Sequence, residues 1–140
     1  GLPPIPPRFI VPPEIQLEQV ERLRAYITQS RDVATSLGYF WDTVAKGDTM
    51  PCQPPAFVTD YLVGDHDVQQ LPELNRIVPR MTEAIDYINS SIDPLYTCGV
   101  LELQGVLTAR ADAINAGIIL DNSLVQLANV ESIIVNQIGK

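Results

Sequence analysis

The chain has 140 residues, 46% of them hydrophobic, and 17 acidic against 9 basic residues give a formal net charge of −8. That length reads as one domain able to bury a core. The acidic balance repels phosphate backbones, and Arg22, Arg24 and Arg31 lie among Glu18, Glu21 and Asp32, so nucleic-acid partners are not expected. No uninterrupted apolar run approaches the roughly 20 residues of a bilayer crossing, so no membrane span is expected either.

Residues 1–13, GLPPIPPRFIVPP, contain six prolines. Each proline removes a donor and biases its predecessor away from helix, so this segment is expected to be an extended tail, linker or strap, with Ile5, Phe9, Ile10 and Val11 as its anchors. A mature terminus or a tether would suit such a start. Residues 14–140 are expected to form a single helical-bundle domain.

The first helix is expected from about Pro13 to Lys46. Ile15, Val20, Leu23, Ile27, Ala34, Leu37, Phe40, Trp41 and Val44 recur close to a 3.6-residue period, and Gly47-Asp48 is a reasonable stop. Residues 47–66 hold Pro51, Cys52, Pro54, Pro55 and Gly64 and read as one long crossover loop, packed down by Phe57, Tyr61, Leu62 and Val63. Asp67 with Gln70 fits a capping box. The second helix then carries Leu71, Leu74, Val78, Met81, Ile85, Ile88 and Ile92 at alternating spacings of three and four. Pro79 should bend or break it, because the ring lacks an N–H and collides with the preceding turn.

Asp93 and Pro94 suit the start of a central helix reaching about Ile138. Continuity is favoured over a break near Leu120–Ser123, since no glycine or proline lies there. Along this helix Asn115, Asn122, Asn129 and Asn136 recur every seven residues. They form one drifting stripe opposite Ala113, Leu120, Leu127 and Ile134, bordered by Ile118, Ile119, Val125 and Ile133. Asparagine is a poor helix former. An amide stripe rimmed by aliphatics is neither a charged solvent face nor an ordinary core, and it points to contact with another helix.

The remaining candidates for chemistry are sparse. Asp65-His66-Asp67 could hold a cation or a base, but His66 is the sole histidine and one carboxylate serves better as a helix cap. Neither a nucleophile triad nor a phosphate loop appears, so no cofactor and no enzymatic activity is expected. Asn89-Ser90-Ser91 is a formal glycosylation sequon, relevant only to a eukaryotic secreted protein.

Cys52 and Cys98 are two free thiols or one disulfide. If bonded, their Cα atoms must lie within about 7 Å. The first helix would then end where the central helix begins, the second would end at the same pole, and the loop after Cys52 would travel back along the bundle. The length of that loop favours the bond, which in turn favours an oxidising compartment. The combined expectation is all-α: an elongated bundle of three long helices, or four if the last breaks. It would act as a non-catalytic structural or interaction module, secreted, periplasmic or at the cell surface. The contact, to a protein partner or in a homo-oligomer, would run through Asn115, Asn122, Asn129, Asn136, Ile119 and Ile133. The alternative is a small-molecule-binding or sensor bundle with a pocket near Tyr39, Trp41, Phe57 and Tyr61.

Overall fold

A computed structural model describes residues 11–64 and 74–139. Helix α1 spans Pro13–Ala45. Pro12 is in the polyproline conformation (φ −57°, ψ 145°) and the next proline takes the first helical position, where its missing N–H has no helical partner to lose. At the far end Gly47 has φ 109°, a conformation open to glycine that turns the chain away. One stripe of α1 is buried: Val20, Leu23, Ile27, Ala34, Leu37 and Trp41. Each valine, leucine or isoleucine among them contributes about 1.5–3 kcal/mol when removed from water.

The expected crossover loop contains a second helix, α2, over Ala56–Leu62. Seven residues are too short to stand out in a sequence. What holds these two short turns is their inner side, Val58 and Tyr61, three residues apart and both buried. Ser30 and Tyr61 share a hydrogen bond of 2.9 Å, so by Tyr61 the chain has travelled back to the middle of α1.

Helix α3 spans Val78–Ile92 with Pro79 in its first turn. No helix runs unbroken through Pro79, in keeping with the disruption expected there, and α3 begins one residue before it. Leu74–Ile77 forms a turn closed by Ile77 N–H to Leu74 O at 2.9 Å, and the helical bonding proper resumes from Met81 N–H to Ile77 O. Met81, Ala84, Ile88 and Ile92 are its buried side.

The central helix does not start at Pro94. Asp93–Thr97 is a 3-10 turn, Cys98 and Gly99 take φ of 53° and 83°, and α4 spans Leu103–Ile138 without interruption. The reason is geometric. Two antiparallel helices lie about 8–10 Å apart, and the chain cannot reverse across that gap at a single Asp-Pro step. The left-handed pair Cys98-Gly99 makes the reversal instead. The continuity expected through Leu120–Ser123 holds, with Ser123 Oγ turned back to Ile119 O at 2.9 Å.

Ion pairs report the helix directions. Arg24 meets Glu131, Arg31 meets Asp121 at 3.8 Å and Arg110 meets Asp42 at 3.4 Å, so α1 and α4 run antiparallel. Trp41 Nε1–H is shared between Ser91 O and Ser91 Oγ, both at 3.1 Å, and Ser91 Oγ donates to Ala109 O at 2.7 Å. The ends of α1 and α3 and the start of α4 thus meet at one pole. Cys52 and Cys98 stand there at disulfide-bonding distance, Cα–Cα 4.2 Å. This is the arrangement the cysteine argument requires, with α1 and α3 parallel and α4 antiparallel to both. Among the described residues there is no strand, and the class is all-α.

By length and composition α4 is long and apolar enough to cross a membrane. That corrects the expectation that no segment qualifies. Scattered polar residues, among them Thr108, Asn115, Asp121, Gln126 and Glu131, interrupt the apolar runs of α4, so counting uninterrupted residues understates its average character.

Candidate functional site

The buried side of α4 is Val106, Ala109, Ala113, Ala116, Leu120, Leu127 and Ile134, all at 4% exposure or less. These residues face α1 and α3. The opposite side carries Leu107, Ile114, Ile118, Val125 and Ile133, and none of them is covered: Ile118 is 57% exposed, Val125 64% and Ile133 60%. Asn115, Asn122, Asn129 and Asn136 are exposed on the same side. α4 has two covered flanks and one bare face, about 44 Å from Leu107 to Asn136 at 1.5 Å per residue.

Ile119 does not belong to this face. It is 6% exposed, because one residue further along a helix turns the side chain about 100° away from Ile118. Its place among the contact residues is corrected to the core; Ile133 stays on the bare face.

The four residues proposed to line a ligand pocket are not brought together. Trp41 is fully buried and packs edge-to-face on Phe40 with ring centroids 5.0 Å apart, so it is a core residue at the disulfide pole. Phe57 and Tyr61 line an open groove of about 570 Å³ between α1 and α2, with Arg24, Asp32 and Asp60. Tyr39, 72% exposed, lines a different groove of about 340 Å³ between α1 and α4.

That second groove has a feature the residue pattern did not single out. Gly38 on α1 and Gly117 on α4 both line it, and a Cβ built on either meets nothing within 4 Å. The glycines are not required for close helix approach; they leave a notch in the seam, rimmed by Tyr39, Ile114 and Ile118. Two glycines inside helices were the available signal, since each costs about 1 kcal/mol relative to alanine.

Electrostatics around the seam are structural. Asp42 is held below the usual carboxylate range by its hydrogen bond to Lys46, with Arg110 adding to the effect. Burial raises Asp112. Tyr26 ionises far above an ordinary phenol, chiefly through burial and then through Tyr61 beside it. With Ser30 these tyrosines form a polar clamp holding α2 to α1. Among the described residues no group of three or more His, Cys, Asp or Glu side chains is placed to hold a metal ion. The Asp65-His66-Asp67 cluster, the Asp67–Gln70 capping box, Leu71 and the anchors Ile5, Phe9 and Ile10 lie outside the described residues. No family model, curated protein or solved structure matches the chain.

Proposed function

We propose that the protein is a non-catalytic interaction module that binds a helix of a protein partner along the bare face of α4, and that it works outside the cytoplasm. The observation that carries this reading is the exposure of Leu107, Ile114, Ile118, Val125 and Ile133 on one side of an unbroken helix. Contiguous exposed aliphatics on a folded protein mark a contact surface more often than a solvent face. The asparagines between them supply hydrogen bonds that fix register, at the propensity cost noted above. The pairing of Cys52 with Cys98 supports the compartment, because such bonds persist where thiols are not kept reduced. The groove beside Tyr39 favours a second reading, a small-molecule sensor, which would show as ligand-dependent melting.

The test is a photo-crosslinking residue at Val125 in the protein's native setting, with Arg22 on the far side of α1 as control. A discrete protein adduct is expected at Val125 and not at Arg22, and Asn122→Lys combined with Asn129→Lys should abolish it without changing the circular dichroism spectrum. Equal adducts at both positions, adducts indifferent to the lysines, or insertion of α4 into liposomes would overturn the reading.

A further inference from the structure

The bare face of α4 differs from the rest of this chain in one respect: it has no formal charge. The protein carries a net charge of −8, and the charged residues of α4 lie off this face. Arg110 and Asp121 turn toward α1 and pair with Asp42 and Arg31, and Glu131 pairs with Arg24. Two acidic copies approaching one another would repel over most of their surface and least here. We infer that the helix docked on α4 is α4 of a second copy, lying parallel and in register. The inference rests on the reading of this face as a helix-binding surface.

The orientation follows from symmetry. In a parallel pair related by a two-fold axis along the helices, every interface residue faces its own copy. A charge in that position faces a like charge, and no conservative choice avoids it. An amide does not have this difficulty, because it both donates and accepts, so two copies of one asparagine can exchange hydrogen bonds. Uncharged aliphatics with asparagines are the composition such symmetry demands. An antiparallel pair is under no such restriction, since acids can be set against bases. Amides and aliphatics are mixed along the whole face, with Asn115 among Leu107, Ile114 and Ile118 and with Val125 and Ile133 among the later asparagines, so the absence of charge, and not the order of residues, is what favours the parallel pair.

Two single-cysteine variants, Ile114→Cys and Val125→Cys, test the geometry, with the native Cys52–Cys98 pair left in place. In the parallel pair both positions face their own copies, so each variant should form an intermolecular disulfide on mild oxidation. In an antiparallel pair at most one position can lie on the two-fold axis. The other is then 11 residues away on each helix, about 33 Å from its copy, and cannot bond. Sedimentation equilibrium on the unmodified protein should give twice the 15.4 kDa chain mass as concentration rises to the hundred-micromolar range. Added salt should tighten the dimer by screening the −8 charges. Asn122→Lys with Asn129→Lys should return it to monomer, as should Asn122→Asp with Asn129→Asp, because either charge would face itself. A monomer at every concentration overturns the second copy as partner and leaves the heterologous-partner reading to the Val125 crosslink. A dimer in which only one cysteine links overturns the parallel arrangement. A dimer indifferent to both charge pairs lies elsewhere and overturns this inference together with the reading it rests on.

Discussion

Replacing Ser91 by alanine probes the junction that joins three helices. Ser91 is fully buried. Its hydroxyl donates to Ala109 O at 2.7 Å and accepts from Trp41 Nε1–H at 3.1 Å. On counting two buried hydrogen bonds, one would expect the loss of both to leave orphaned groups, at about 1–3 kcal/mol each. The geometry argues for less. Trp41 Nε1–H also reaches Ser91 O at 3.1 Å, and that backbone acceptor survives the substitution. Ala109 O lies inside α4 and keeps its helical N–H donor. Neither group is orphaned, so Ser91→Ala should cost about 1 kcal/mol, the net value of an ordinary hydrogen bond. For a chain of this size that is a fall of about 4 °C in melting temperature. Urea unfolding followed by the fluorescence of Trp41, the one tryptophan, measures it directly. Trp41→Phe in the same background, followed by circular dichroism because it removes the fluorophore, should show little further coupling to Ser91→Ala. A loss above about 3 kcal/mol for Ser91→Ala alone would refute the view that the backbone carbonyl takes over the indole N–H.

Three further outcomes follow from the fold. Reducing Cys52–Cys98, which closes a sequence separation of 46, should lower stability by about 4 kcal/mol on the chain-entropy estimate; two freely alkylated thiols in unreduced, denatured protein would remove the bond and the expected loss together. Gly38→Ala and Gly117→Ala should each stabilise by about 1 kcal/mol, because a Cβ at either position enters open space; a destabilisation in chemical unfolding would show that the notch is needed for packing. Burial raises the folded-state pKa of Asp112, so its ionisation opposes folding, and the penalty grows as pH rises from the ordinary aspartate range through the raised value. Asp112→Asn should therefore stabilise at neutral pH and confer no gain in acid below the ordinary aspartate pKa; a gain independent of pH would assign the effect to something other than charge.

Most of the helical frame was legible in local chemistry. Pro12-Pro13 and Gly47 mark both ends of α1 because a missing N–H and a positive φ act within a residue or two of where they occur. Pro79 was legible as a disruption for the same reason, although the pattern put the start of that helix at Asp67 and the structure puts Pro79 in its first turn. The disulfide topology was legible because it is a problem of chain reach: a short connection before α4 and a long one after α1 leave few ways to bring Cys52 to Cys98. The asparagine stripe and its opposition to Ala113, Leu120, Leu127 and Ile134 followed from helical periodicity alone.

What the residue pattern could not decide was which sides of each helix find a neighbour. Asp93-Pro94 has the chemistry of a helix start, yet the reversal into α4 needs the residues through Cys98-Gly99, a requirement that exists only once α3 must lie against α4. Ala56–Leu62 is helical because Val58 and Tyr61 dock on α1, a contact between positions some 31 residues apart. Ile118 and Ile119 are adjacent and chemically identical, and only packing sends one to solvent and the other to the core. Periodicity assigns residues to faces. Burial depends on how many partners a helix has, and the bare face of α4 became visible only when α1 and α3 were found to share its other side.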